Sequence, residues 1–172
     1  GAGSSSRSAA CIRQQFSTPA TVQGMIHSVK AYSRFREEFR CPGETADVLV
    51  QNGYLFLYDD PSAAADASTA EAQWKEAQSN LSMQQAQGLA EVELLRPEDI
   101  KERFPHIDTK DLIGGTFCPT DGFLRPDVIY MEGFRHFEEL GGVLRQNEAV
   151  VGGRFNANGQ LIALETSTED VV

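Results

Sequence analysis

The chain has 172 residues, of which 41% are apolar and 23% are charged, and its formal net charge is −10. This length allows one sizeable core, or one domain with part of another, and the composition is typical of a globular protein. The acidic balance argues against nucleic-acid binding, which needs a dense basic surface. No apolar run approaches the roughly 18–20 residues of a membrane span. The three cysteines show no metal-ligand spacing, so we expect no metal site and a reducing, cytoplasmic environment.

Apolar periodicity predicts two long helices in the first half of the chain. The first covers 22–39 and ends before Pro42, and its buried stripe consists of residues spaced three and four apart: Val22, Met25, Ile26, Val29, Tyr32, Phe35 and Phe39. The second covers 69–87, with Ser68 and Glu71 at capping-box spacing at its start. Gly88 then ends this helix.

Two prolines mark further helices. Pro97 is placed to begin a short helix that ends at Pro105, and Pro126 begins another that Gly141 and Gly142 end. The buried face of this last helix is predicted to contain its large apolar residues: Ile129, Tyr130, Phe134, Phe137 and Leu140.

The strand signals lie between these helices. Residues 47–58 predict two short strands joined by a tight hairpin turn at Asn52-Gly53, because both of these residues tolerate positive φ. A strand pair, or a strand and a loop, is predicted over 114–124. A final hairpin covers 148–166 with its turn at Asn158-Gly159. Interspersed helices and strands indicate a mixed α/β (α+β) fold.

The densest polar signal is segment 4–16, with the sequence SSSRSAACIRQQF. Small residues let the backbone approach a flat or anionic ligand, and hydroxyls add hydrogen-bond donors. Arg13 can hold a carboxylate through two parallel hydrogen bonds. A polar chain terminus without function is the alternative interpretation. The preceding Gly1-Ala2-Gly3 lacks a strand before it and the third glycine of a dinucleotide fingerprint, since Ser6 occupies that place.

Segment 4–16 resembles the loop after the second Rossmann strand in FAD-dependent oxidoreductases of the D-amino-acid oxidase type. The most similar branch contains sarcosine oxidase and dehydrogenase and dimethylglycine dehydrogenase. Further blocks resemble the same family in the same order: QNGYLFL at 51–57, LLRPEDI at 94–100 with Phe104-Pro105, and GTF at 115–117 through TDGFL at 120–124 and Pro126.

This resemblance implies two partial domains. Residues 1–45 and 121–172 are expected to form parts of an FAD-binding domain that includes a β-meander hairpin, and 46–120 part of a mixed-sheet substrate-binding domain. It also implies an internal piece of a longer chain, with the glycine-rich pyrophosphate site upstream and the rest of the substrate domain downstream. Such a piece is expected to be inactive by itself and to bind FAD weakly or not at all.

The implied activity is oxidation of the C–N bond of a small amine or amino acid by hydride transfer to FAD, giving an imine that water hydrolyses. By resemblance, the backbone of Val150 approaches the adenine, and Arg13 contacts the substrate carboxylate or lies near the flavin. Tyr54 lies either in the substrate cavity or in the core. No histidine occurs in segment 4–16, so non-covalent FAD is expected. The residues expected along the flavin are Ser5, Ser6, Arg7, Ser8, Ala10 and Cys11.

Other interpretations stay open at this point. A non-enzymatic α/β binding or interaction module without cofactor is the main alternative, and a flavin-dependent halogenase or hydroxylase fits the IRQQF block less well. The partner is expected to be a small-molecule amine or amino acid, without nucleic acid or membrane. A homodimer or a strand-swapped association is expected to cover an apolar face at 54–58. Asp121, Gly122 and Arg125 shape either an active-site turn or a structural turn before a helix, and Cys118 is predicted to be buried.

Overall fold

The helices and strands are interspersed along the chain in this computed structural model, which describes residues 4, 7–168 and 170–171. The chain divides into two units, Gly1–Glu132 and Gly133–Val172. The helices are α1 (Pro19–Ser33), α2 (Phe35–Glu38), α3 (Ala67–Ala86), α4 (Pro97–Arg103) and α5 (Pro126–Glu139). The strands are β1 (Cys11–Ile12), β2 (Leu49–Gln51), β3 (Tyr54–Asp59), β4 (Glu93–Leu95), β5 (Leu112–Cys118), β6 (Gly122–Leu124), β7 (Val150–Phe155), β8 (Leu161–Thr166) and β9 (Asp170–Val171). The predicted mixed α/β class is confirmed.

Two antiparallel sheets of the larger unit are joined by two chain connections, from β2 to β3 and from β5 to β6. Their orders are β1-β6-β2 and β3-β5-β4. The predicted hairpin at Asn52-Gly53 is wrong, because β2 pairs with β6 and β3 pairs with β5. Gly53 does have positive φ, at +82°, and its N–H donates to the carbonyl of Asp121 at 2.9 Å. The bend after β2 therefore lies against the bend between β5 and β6.

The first predicted helix is wrong in its bounds. It begins at Pro19, where the Thr18 side chain accepts a hydrogen bond from the Thr21 N–H, and it is interrupted at Arg34. The Arg34 N–H bonds to the carbonyl of Ala31, three residues back, which separates α1 from the short α2. Proline at the first helical position after a threonine cap is the local signal for this earlier start.

The other helix starts follow their capping residues. Asp66, rather than the predicted Ser68, caps α3, because its carboxylate accepts from the N–H groups of Ser68 and Thr69. The predicted starts at Pro97 and Pro126 are confirmed.

Among the described residues, none of the helices has the length and apolar content to span a bilayer.

The main core lies where α1 and α3 meet β5. Its fully or nearly fully buried members are Val22, Leu81, Leu89, Val92 and Cys118, and Phe16 packs against them. Cys118 is thus buried as predicted. Because Phe16 belongs to segment 4–16, this core anchors the end of that segment.

The smaller unit contains the predicted final hairpin. Strands β7 and β8 pair antiparallel, and Gly159 in their turn has φ +76°.

The predicted buried face of α5 is wrong, since none of the described residues of this helix is buried and Leu140 is 76% exposed. An amphipathic pattern shows which face of a helix is apolar, but it does not show whether another element packs against that face.

Candidate functional site

The segment that carries Arg13 enters the fold through a fixed turn. Ala10 has φ +52°, a left-handed conformation that is uncommon for a residue with a Cβ. The Ser8 hydroxyl accepts the Ala10 N–H at 2.9 Å, and the Ala10 carbonyl accepts the Leu124 N–H at 2.9 Å. Arg7 and Ser8 are exposed, whereas the predicted flavin contacts Ser5 and Ser6 lie outside the described residues.

Strand β1 is an edge strand that leaves backbone groups available. Cys11 lies opposite Phe123, and Ala10 forms the adjacent hydrogen-bonded pair with Leu124. Because hydrogen-bonded and non-bonded pairs alternate in an antiparallel ladder, the N–H and C=O of Cys11 point to the other edge. No described strand pairs there. This donor and acceptor, beside the small exposed side chains of Ser8 and Ala9, fit the edge of a flat polar ring such as that of a flavin.

Arg13 is half-buried and its guanidinium lies against two aromatic rings. Its guanidinium carbon lies 4.6 Å from the ring centre of Phe16 and 5.1 Å from that of Phe56. None of the hydrogen bonds or ion pairs among the described residues involves this guanidinium. The rings hold the cation by cation–π attraction and leave its N–H donors for an anion. A carboxylate matches this donor geometry through two parallel hydrogen bonds.

Two clefts meet at Arg13 and Phe16. The first, the amide cleft, has a volume of about 210 Å³ and is also lined by Gln15, Asn80 and Gln84. The second, the tyrosine cleft, has a volume of about 440 Å³ and is also lined by Cys11, Met25, Tyr32 and Tyr54. The structure therefore brings three of the predicted site residues, Cys11, Arg13 and Tyr54, to one cleft.

Asp121 lies fully buried beneath this segment. One carboxylate oxygen, Oδ1, accepts the Gln14 backbone N–H at 2.7 Å and the Gln14 Nε2 at 3.1 Å. The other, Oδ2, accepts the Gln15 Nε2 at 3.2 Å. Burial raises the pKa of Asp121, and the hydrogen bonds from Gln14 and Gln15 act against this rise. The sequence analysis left an active-site turn and a structural turn open for Asp121, and neither interpretation includes this network with Gln14 and Gln15.

The predicted residues Gly122 and Arg125 of the larger unit line neither cleft. Arg125 is exposed, and its backbone N–H donates to the Val48 carbonyl at 2.8 Å. A Cβ on Gly122 would lie 1.9 Å from the carbonyl oxygen of Val50, so this glycine permits close strand contact. Val150 is exposed at the start of β7 in the smaller unit. Its expected contact with adenine stays a prediction.

Comparisons with known proteins identify relatives of this fold. L-proline dehydrogenase from P. horikoshii is 27% identical with a TM-score of 0.79, over 99% of this chain and 41% of that one. Glycine oxidase from Geobacillus kaustophilus is 20% identical with a TM-score of 0.72, over 100% of this chain and 44% of that one. Iminodiacetate oxidase from Chelativorans sp. BNC1 is 18% identical with a TM-score of 0.70, over 98% of this chain and 43% of that one. No curated protein matches the chain.

The chain thus spans less than half the length of these solved structures. Its mixed α/β arrangement with small antiparallel sheets matches part of an FAD-dependent oxidoreductase fold. The predicted domain bounds and the sarcosine oxidase branch stay predictions. The family model for FAD dependent oxidoreductases (DAO) matches residues 1–172. The chain therefore belongs to the DAO family of FAD-dependent oxidoreductases.

Proposed function

We propose that this chain forms part of an FAD-dependent oxidoreductase that oxidises the C–N bond of an amino acid or a related amine bearing a carboxylate. The observation that carries the proposal is the guanidinium of Arg13, which has no anionic partner among the described residues and lines two clefts. The names of the similar proteins support it, since proline, glycine and iminodiacetate each combine an amine with a carboxylate.

FAD, when bound, supplies the acceptor for the two electrons removed from the C–N bond. We propose that it is held non-covalently beside the free edge of Cys11, with Ser5, Ser6, Arg7, Ser8 and Ala10 along it. The exposed small side chains and the unpaired backbone groups of this edge favour that location.

In this proposal Arg13 binds and orients the substrate. Two parallel hydrogen bonds from its guanidinium fix the carboxylate and hence the adjacent carbon–nitrogen bond. The rings of Phe16 and Phe56 lie against the guanidinium and help to hold it in place. Because Arg13 is half-buried, the local dielectric is lower than that of bulk water, which strengthens the attraction between the guanidinium and the carboxylate.

A comparison of matched ligands tests the role of Arg13. The protein produced from the complete gene is loaded with FAD, and apparent dissociation constants are measured anaerobically, from the dependence of the flavin absorbance change on ligand concentration, for L-proline against pyrrolidine and for glycine against methylamine. We expect Arg13→Ala to weaken binding of the amino acids by at least about tenfold, the loss typical of a charged hydrogen bond, and to leave the decarboxylated amines unchanged.

The Arg13→Lys variant is the matched control. It keeps the charge but not the planar pair of donors, so an intermediate loss is expected. Equal losses for each amino acid and its decarboxylated counterpart in Arg13→Ala would contradict a carboxylate site at this residue.

We also propose a cytoplasmic location and a homodimeric or strand-swapped association, as the sequence predicts.

The resemblance of segment 4–16 favours N-methyl amino acids as substrates, as in the sarcosine oxidase and dimethylglycine dehydrogenase branch. Oxidation of sarcosine at a rate far above that of glycine would support the branch assignment, and the reverse order would contradict it.

A further inference from the structure

We propose that Asp121 is a positioning residue for the carboxylate site at Arg13. This inference rests on the proposed function, because it requires Arg13 to bind a carboxylate. Asp121 does not line either cleft and acts through the residues next to Arg13.

Asp121 and its neighbour fix the backbone on both sides of Arg13. Before Arg13, the buried Ile12 lies opposite Gly122 in the ladder between β1 and β6. After Arg13, the N–H of Gln14 belongs to the peptide group that contains the Arg13 carbonyl, and it donates to Asp121 Oδ1 at 2.7 Å. The orientation of that peptide plane is therefore set by the carboxylate.

The same carboxylate links Arg13 to the strand that carries Tyr54. Gln15 Nε2 donates to Asp121 Oδ2 at 3.2 Å and to the carbonyl of Tyr54 at 2.9 Å. The Asp121 carbonyl also accepts the Gly53 N–H, immediately before Tyr54. Arg13 and Tyr54 both line the tyrosine cleft, so Asp121 sets the spacing of residues within this cleft.

The chemistry of Asp121 is better suited to positioning than to stability. The described residues include no ion pair to this fully buried carboxyl group, and its side-chain partners at Gln14 and Gln15 are amide donors. A buried carboxylate without a cation is costly, and an apolar residue would fill the same space at less cost. Oδ1 accepts the backbone N–H of Gln14 and Oδ2 accepts the side chain of Gln15, whereas an asparagine would present an NH2 group in place of one of these two acceptors.

A double-mutant cycle with Arg13 tests the proposal. In the FAD-loaded protein from the complete gene, we compare wild type, Asp121→Asn, Arg13→Ala and the double variant for binding of L-proline and pyrrolidine. We expect Asp121→Asn to weaken L-proline binding by about tenfold or more, the size of a misplaced charged hydrogen bond, and pyrrolidine binding by less than about twofold. In the Arg13→Ala background, Asp121→Asn should then have no further effect on L-proline.

The control is Asp111→Asn, an exposed carboxylate of the same unit, which should leave both ligands unchanged. Where Asp121→Asn yields no folded protein, Gln15→Leu removes the Nε2 donor that links Asp121 Oδ2 to the Tyr54 carbonyl, and it is judged by the same two criteria.

Two outcomes would overturn the proposal in distinguishable ways. Equal weakening of both ligands, or additive effects in the cycle, would leave Arg13 as the carboxylate site and make Asp121 merely structural. If Arg13→Ala itself leaves L-proline binding unchanged, the proposed carboxylate site fails, and the positioning role fails with it.

Discussion

Cys11 and Cys118 differ in their expected reactivity. Burial raises the pKa of Cys118 to about 11, with smaller opposing effects from its contact with Thr120, whereas Cys11 is exposed. The thiolate is the reactive form, and an ordinary thiol has a pKa of about 8.5. At mildly alkaline pH, we expect iodoacetamide to modify Cys11 and to spare Cys118, as measured by peptide mass mapping. The unfolded chain is the control, and rapid modification of Cys118 in the folded protein would contradict its assigned burial.

Single residues of the candidate site differ in how far the sequence predicts them. Arg13 is suggested by its own chemistry and by its place in segment 4–16. For Asp121 the sequence suggests an active-site turn or a structural turn but not its buried network, because its partners Gln14 and Gln15 lie 107 and 106 residues away along the chain. Its burial and its hydrogen bonds appear only when β1 and β6 pair, which no local pattern indicates.

At the scale of elements, two glycines predict opposite effects of the same substitution. A Cβ on Gly122 would overlap the Val50 carbonyl oxygen, whereas a Cβ on Gly24 in α1 meets no atom within 4 Å. We expect Gly122→Ala to lower the free energy of unfolding by more than about 4 kcal/mol or to prevent folding. Gly24→Ala should raise it by about 0.5–1 kcal/mol, because alanine loses less conformational entropy in a helix. Denaturant titration measures both, and a neutral Gly122→Ala would contradict the close packing of β2 on β6.

The elements that the sequence predicts well carry their own local signals. Proline begins α4 and α5, and positive φ at Gly159 closes the final hairpin. The pairing of β2 and β3 is a different case, because their partners β6 and β5 lie more than 50 residues away along the chain. Asn52-Gly53 predicts a bend correctly, but a bend does not decide which strands pair.

At the scale of the whole molecule, the apolar surface of the smaller unit favours association. In this unit Val151 is 68% exposed and Phe155 is 63% exposed. The apolar face at 54–58, which was expected to be exposed, is instead half-buried at Tyr54, Phe56 and Tyr58. We expect the 172-residue chain to associate reversibly with rising concentration, as measured by sedimentation velocity. The Val151→Lys/Phe155→Lys variant should associate less. A wild-type chain that stays monomeric at all concentrations would contradict the proposed association.

Anaerobic reduction of the flavin by an amino acid decides whether the complete protein is an amine-oxidising flavoenzyme. We expect the protein from the complete gene to purify with FAD, and its visible flavin absorbance to bleach when L-proline, glycine or sarcosine is added without oxygen. The Arg13→Ala variant should need a higher concentration of the same amino acid. A protein that binds no FAD even when supplied with it would favour the alternative of a binding module without cofactor. Bound flavin that dithionite reduces but no amino acid or N-methyl amino acid reduces would contradict the proposed reaction.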